Sequence, residues 1–243
     1  MPSSINNYRK LIEQPWGKMF YDMIFHQLDL SGNSPLNILD FGAGFCMTAN
    51  HYAAHHHVTA IEPDKEMLNL RLSDNNYTCI HGGIEALKKH DGIAFDLVIC
   101  HNVLEYVPDK EQILQEFARV LKRDGRLSIV KHNLAGKILA YSVFSDDPGA
   151  SLDLLEKNDN ENTMFGKRDT YKNEYLIEQN RMMGLSLEDC LGLRTFFGLS
   201  SNNDIKFTDE WYDNMLALEM KTCSLEEYKS IAFYNHLIFR KTT

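Results

Sequence analysis

The chain has 243 residues, 44% hydrophobic and 24% charged, enough apolar material for one sizeable α/β core. A formal charge of −9 gives no general attraction to polyanions, so nucleic acid would need a local basic patch. Five dispersed cysteines, Cys46, Cys79, Cys100, Cys190 and Cys223, lack zinc-site spacing and read as reduced thiols. No signal core opens the sequence and no apolar run reaches the roughly 18 residues of a membrane span, which predicts a cytoplasmic protein without membrane association.

In chain order, Gly17 to Leu28 carries Met19, Phe20, Met23 and Ile24 at helical spacing and stops at the SGNSP turn, Ser31 to Pro35. Strand and helix signals then alternate. LNILDF (Leu36–Phe41) predicts a buried strand, followed by a glycine turn and a helix to about His55. HVTAIE (His57–Glu62) predicts the second strand and Asp64–Leu72 a helix. YTCIHG (Tyr77–Gly82) and FDLVICH (Phe95–His101) predict the third and fourth strands. Asp109 with Gln112 predicts a capping box, Ile113, Leu114, Phe117, Val120 and Leu121 an apolar helix stripe, and Gly125 a left-handed C-terminal residue. RLSIVKH (Arg126–His132) predicts the fifth strand.

Beyond His132 the polar, acidic stretch Ser145–Thr170 predicts a mobile loop or lid. A helix over Tyr171–Met183, a strand over Leu185–Phe197, a helix over Asp209–Lys221 and a strand over Ile231–Arg240 complete the pattern. The reading is one Rossmann-like, doubly wound α/β domain, mostly parallel, with an antiparallel final strand and an insertion after the fifth strand. Its parts are an N-terminal helical cap (1–35), a cofactor-binding core (36–133), an insertion or lid with a helix (134–184), and C-terminal strands and a helix (185–243).

The chemistry concentrates in ILDFGAGFCMTAN, Ile38 to Asn50. A strand ending at Asp40 runs into Gly42, Ala43 and Gly44, where the chain can turn tightly and approach a ligand without a Cβ. Glu62, 20 residues after Gly42 at the end of the next strand, can accept both hydroxyls of a ribose. This combination suits an adenosyl cofactor. A dinucleotide would want glycine or alanine where Met47 stands. Ile84 and Glu85 can meet an adenine ring and its amine, although Glu85 also suits an ordinary helix start. His101 and Asn102 lie beyond the fourth strand, facing cofactor or acceptor, with a loop histidine bonded to backbone as the plainer reading. His51, His55, His56 and His57 read as helix-end side chains in water, and no metal site is expected.

The strings ILDFGAGFCMTA, VTAIEPD, HGGIEAL, FDLVICHNVLEYV and RVLKRDGRLSIV resemble the ordered motifs of class I S-adenosylmethionine-dependent methyltransferases over about Ile38 to Val130. HNVLEY with HNLAGKIL and GLRTFF is similar to the tRNA methyltransferases that esterify 5-carboxymethoxyuridine at the wobble position. The resemblance implies S-adenosyl-L-methionine as cofactor, held by Gly42, Ala43, Glu62, Ile84, Glu85 and His101; the glycine turn adds Asp40 and Gly44, and Lys18 is expected to bind the cofactor from the N-terminal segment. Three positions depart from the family. Cys46 replaces the third motif glycine, Lys18 stands near Phe20 where an N-terminal arginine is expected, and Glu156 to Thr163 (EKNDNENT) replaces a basic run.

Lys167, Arg168, Lys172, Arg181 and Arg194 remain as basic candidates, with scattered solvated charges as the plainer reading; the substrate contacts expected are Arg168 and Arg194 among them, together with Asn102 beyond the fourth strand. A carboxylate acceptor is ionised near neutral pH and needs no general base, whereas His101 could serve as base toward a hydroxyl or amine. Three functions stay open: a tRNA carboxyl methyltransferase, a small-molecule methyltransferase, and a non-catalytic cofactor-binding protein. The expected partner is the methyl acceptor, tRNA or small molecule, with no obligate protein partner.

Overall fold

Apolar runs flanked by glycine turns fold here as the strands of one sheet, with short amphipathic helices between them. The structure, a computed structural model, describes residues 4–32, 34–90, 92–157, 162–163 and 166–242. Helices α1 (Ser4–Ile12) and α2 (Pro15–Gln27) come first. There follow β1 (Asn37–Phe41), α3 (Met47–Tyr52), β2 (His57–Glu62), α4 (Lys65–Asn69), β3 (Thr78–His81), α5 (Ile84–Lys88), β4 (Phe95–His101), α6 (Lys110–Val120) and β5 (Leu121–His132). The remainder is α7 (Leu134–Leu139), α8 (Pro148–Lys157), β6 (Asn162–Thr163), β7 (Gly166–Lys167), α9 (Asn173–Met182), β8 (Leu185–Leu193), α10 (Asp209–Thr222), α11 (Glu226–Lys229) and β9 (Tyr234–Lys241).

The seven-stranded sheet has the order β3-β2-β1-β4-β5-β9-β8, and β6 pairs with β7 in a separate hairpin. Strands β1 to β5 are mutually parallel. Strand β9 runs against its neighbours. Phe233 N donates to Arg194 O at 3.4 Å and Thr242 N to Gly184 O at 2.9 Å, one bond at each end of β8. The fold is therefore the Rossmann-like α/β arrangement, mostly parallel with an antiparallel final strand. Strand order reverses between β1 and β4, so the crevice beyond their carboxyl ends is where such a sheet places ligands.

The chain divides into two compact units. One comprises Leu30–Val130, Lys172–Asp189 and Leu237–Thr243, and it holds the parallel strands. Its core includes fully buried Ile38, Leu39, Ile61, Val98, Ile99 and Phe117, with Phe41 edge-on to Phe117 at 5.2 Å. The other comprises Met1–Asp29, Lys131–Tyr171 and Cys190–His236. There the buried stripe of α2, Met19, Phe20, Met23 and Ile24, forms as the periodicity predicts, and Phe20 meets the Tyr234 ring at 5.1 Å.

Several local expectations are corrected. Asp109 has φ −104° and ψ 60° instead of extended backbone, and its side chain makes no cap bond, so the capping box with Gln112 is absent. The left-handed residue after α6 is Asp124, φ 62°, and not Gly125. Helix α3 ends at Tyr52, short of His55. Among the helix-end histidines, His56 is buried and its Nδ1 accepts the Leu36 N–H at 3.2 Å. Within 145–170, α8 and the β6–β7 hairpin stand where a loop was expected, while 158–161 and 164–165 lie outside the described residues. Strand β8 stops at Leu193 and not Phe197, because Arg194 enters the left-handed region at φ 60°. Helix α1 falls within the expected N-terminal helical cap (1–35), where the periodicity marked only the segment from Gly17 to Leu28.

A close backbone approach fixes α7. A Cβ built on Gly136 would lie 2.1 Å from Ala232 O, a backbone atom that cannot swing aside. Asn133 reinforces the junction, donating from Nδ2 to Ser230 O at 2.8 Å and Ala232 O at 2.9 Å. Gly136→Ala is expected to cost about 1–3 kcal/mol, the range for forced overpacking, read as a lower midpoint in urea denaturation.

Candidate active site

The site is built on the turn after β1. Gly42 and Gly44 have φ of 74° and 55°, and the Gly42 and Ala43 amides donate to Ile61 O at 2.8 and 3.1 Å. A Cβ on Gly42 would lie 2.3 Å from Val103 Cγ2, so the turn is pressed against the segment that follows β4. Cys46, in place of the third glycine, is also left-handed at φ 57°, a conformation that costs an L-residue roughly 1–2 kcal/mol. Its thiol is fully buried, and that burial, with the Asp40 charge nearby, pushes it up to about 12. The following helix, α3, has six residues.

Two carboxyl groups close this turn from below. Glu62, 5% exposed at the end of β2, accepts the Gly44 N–H on Oε2 and the Asp64 N–H on Oε1, both at 2.7 Å. Burial raises its pKa while these two bonds pull it down. Each oxygen keeps a second lone pair, which is what a cis-diol would need. Asp40 is 4% exposed and its Oδ2 has no hydrogen-bond partner among the described residues. Burial pushes its carboxyl up to about 7, the Glu62 charge adds to this, and a bond from the Ala49 amide opposes it.

The flanking loops join the same place. Gly82 N donates to Glu62 O at 3.0 Å, which brings the start of α5 beside β2. Ile84 there is half-buried, whereas Glu85 is exposed and accepts the Gly83 N–H at 2.7 Å, a bond that lowers its pKa. At the end of β4, His101 Nε2 meets Ser128 Oγ at 2.8 Å. Asn102 is held at φ 55°, with its amide donating to Val130 O at 2.8 Å and its Oδ1 buried without a hydrogen-bond partner. The structure thus brings together Asp40, Gly42, Ala43, Gly44, Glu62, Ile84, Glu85, His101 and Asn102 within one unit.

Lys18, Arg168 and Arg194 belong to the other unit. Lys18 Nζ donates to Asp22 Oδ2 at 2.8 Å and lies 3.9 Å over the Tyr212 ring. Arg168 is buried. Arg194 stands among the rings of Phe197, Phe233 and Tyr234, at 5.5, 5.5 and 5.9 Å. Of the other basic candidates, Arg181 is taken by Glu178 at 2.9 Å on the surface. Among the described residues no group of three or more His, Cys, Asp or Glu side chains could hold a metal ion, and no helix is long and apolar enough to cross a membrane.

Sequence reasoning missed Ser128 and Val103 at this site and, in the other unit, the buried polar residues Lys206 and Glu219. Glu219 left a signal, being an acid seven residues after Tyr212 on the buried stripe of α10, where an apolar residue would be ordinary. Ser128 sits in an apolar strand, and its pairing with His101 crosses two strands, which no local pattern reports.

Comparison with known proteins finds methyltransferases. Residues 39–129 match the family model described as a methyltransferase domain. The tRNA 5-carboxymethoxyuridine methyltransferase of Escherichia coli (strain K12) is 24% identical over 218 residues, covering 86% of this chain and 82% of its own. The arsenite methyltransferase of Homo sapiens is 35% identical over 109 residues, 37% of this chain and 29% of its own. Among solved structures, the complex between the Haloferax volcanii Trm112 methyltransferase activator and a methyltransferase contains a chain that superposes with a TM-score of 0.64 at 14% identity, covering 99% of this chain and 98% of that one. An S-adenosylmethionine-dependent methyltransferase from Mesorhizobium loti gives 0.59 at 15%, covering 91% and 97%. Both structural likenesses speak to the fold.

The raised carboxyl at Asp40 makes stability depend on pH. Between its unfolded value of 3.8 and about 7, the folded state holds a proton that the unfolded chain has lost, so stability falls as pH rises through that window. The melting temperature is expected to drop between about pH 5 and about pH 8, and Asp40→Asn to flatten that drop. An unchanged slope in the variant would assign the dependence to other groups.

Proposed function

We propose that this chain, a class I S-adenosylmethionine-dependent methyltransferase, forms a methyl ester on the carboxylate of a modified wobble uridine in tRNA. The observation that carries the cofactor half is the buried Glu62, bonded through Oε2 to the Gly44 amide of the glycine turn and retaining free lone pairs. The acceptor half is supported by the likeness to the E. coli tRNA enzyme, which extends over 86% of the chain.

The residues present fit the cofactor. Glu62 would receive the ribose hydroxyls, and Gly42, Ala43 and Gly44 would let the methionine portion approach the backbone. Asp40, with its unpartnered Oδ2, would face the cofactor's ammonium, whose charge would draw its carboxyl back toward the ionised form. Ile84 would pack on the adenine. Glu85 would reach its amine after releasing the Gly83 amide. The reading does not draw on Lys18, whose ammonium is taken by Asp22 and the Tyr212 ring.

When bound, the cofactor supplies a methyl group on a sulfonium that loses its charge as transfer proceeds. The protein's contribution is alignment and exclusion of water. Asn102, its side-chain oxygen buried and unpartnered, would orient the acceptor. A carboxylate is already ionised near pH 7, so His101, bonded to Ser128, would position without taking a proton. Arg168 and Arg194 are proposed as contacts to the acceptor's anionic groups. The net charge of −9 favours a second reading, a small-molecule acceptor.

Three measurements test these readings. Mass spectrometry of tRNA nucleosides from cells lacking the protein is expected to show loss of the methyl ester and accumulation of the free acid; unaltered tRNA would favour the small-molecule reading. Glu62→Gln is expected to weaken S-adenosylmethionine binding by roughly tenfold or more in calorimetry, the loss expected for charged hydrogen bonds. Replacing Arg168 and Arg194 together by alanine is expected to lower both turnover and RNA affinity, and unchanged values would remove both from the acceptor site.

A further inference from the structure

The unit that contains β9's start and α10 holds a cation with an unusual environment. Among the described residues the Arg194 guanidinium donates no hydrogen bond, and its Nε is buried without one. Its neighbours are ring faces, at 5.5 Å for Phe197 and Phe233 and 5.9 Å for Tyr234. Rings attract the charge but leave its fork of five donors unused. The backbone at Arg194 is left-handed, φ 60°, so the side chain is set by an imposed turn and not by strand geometry.

Glu219 imposes that turn. Its carboxylate, 1% exposed, accepts the N–H groups of Thr195, Phe196 and Phe197, each at 2.8 Å. Three of its lone-pair positions are thereby spent on backbone, and no hydrogen bond or ion pair joins it to the guanidinium among the described residues. A second cation is close by. Lys206 is 4% exposed, donates to Ser200 O at 2.7 Å and Asn203 Oδ1 at 3.0 Å, and places its Nζ 4.9 Å from the Phe197 ring that Arg194 also overlies. Burial lowers the pKa of Lys206 and the Arg194 charge lowers it further. Two like charges sharing one ring in a desolvated place are mutually unfavourable, and the Glu219 carboxylate, which feels the Arg194 charge but spends its oxygens on backbone amides, leaves both cations able to take a further anion.

We propose that Arg194 and Lys206 form a seat for an oxyanion carried by the methyl acceptor, with Glu219 as the positioning residue that sets the Arg194 turn. The proposal rests on the reading of an anionic acceptor and adds to it Lys206, Glu219 and the ring floor. A carboxylate on the base and a phosphate of the nucleotide share the required chemistry, and the test separates them.

The full-length chain is titrated by calorimetry with uridine, 5-carboxymethoxyuridine and uridine 5′-monophosphate at equal ionic strength, without cofactor. One of the two acidic ligands is expected to bind roughly tenfold or more tightly than uridine, as charge-assisted bonds to a guanidinium imply. Preference for the first identifies the carboxylate, preference for the second the phosphate. Arg194→Gln is expected to abolish the preference, Lys206→Met to reduce it, and Arg194→Lys to restore part of it. Glu219→Gln is expected to weaken the acidic ligand while leaving uridine unchanged, a selectivity that mere loss of stability would not produce. Equal binding of all three ligands, or a preference that survives in folded Arg194→Gln, overturns the proposal. S-adenosylmethionine is titrated separately; its failure to bind counts against the methyltransferase reading, while the oxyanion seat is judged on its own titrations.

Discussion

One hydrogen bond ties the proposed cofactor site together: Glu62 Oε2 accepting the Gly44 amide at 2.7 Å. It joins the end of β2 to the turn after β1, and the Gly42 and Ala43 amides reinforce the junction by donating to Ile61 O. Burying an acid at 5% exposure is tolerable only because backbone donors meet it. The same bonds prearrange the turn, so a ligand that replaces or shares them finds the backbone already shaped. Asp40 beside it has the Ala49 amide as a donor but an Oδ2 without one, and burial raises its proton affinity.

Local chemistry was readable where it repeats or where one residue type alone can serve. The strands β2 and β4 have the boundaries expected from their apolar runs, because burial on both faces demands such runs. The buried faces of α2 and α6 follow their periodicity, and Asp40, Gly42, Gly44 and Glu62 gather as their spacing implies. Errors arose where a backbone angle decides. Asp109 has the composition of a cap without the dihedral angles, and Asp124 takes the left-handed position that composition awards to Gly125. Tertiary partners were hidden altogether: the Glu219 bonds to Thr195, Phe196 and Phe197 span 22 to 24 residues, and the His101–Ser128 pair spans 27.

The two units use one device in different places. Each holds a turn by directing a buried carboxylate at backbone amides, Glu62 toward Gly44 and Asp64, Glu219 toward Thr195 through Phe197. In both cases the acid sits on a regular element, the end of β2 or the last turn of α10, while the turn it holds belongs to an irregular segment. Rigid scaffolding is thus lent to loops, where ligand-facing groups are most easily placed.

Cys46 carries a consequence for how the molecule meets oxidants and electrophiles. Only a thiolate attacks such reagents, and a thiol whose acidity is pushed to about 12 inside a closed turn offers almost none at neutral pH. The glycine turn therefore keeps a sulfur at its heart without acquiring a chemical weak point. Alkylating probes would reach the half-exposed Cys79 and Cys190 before the buried Cys46, although the Cys79 thiol lies beside that of Cys46.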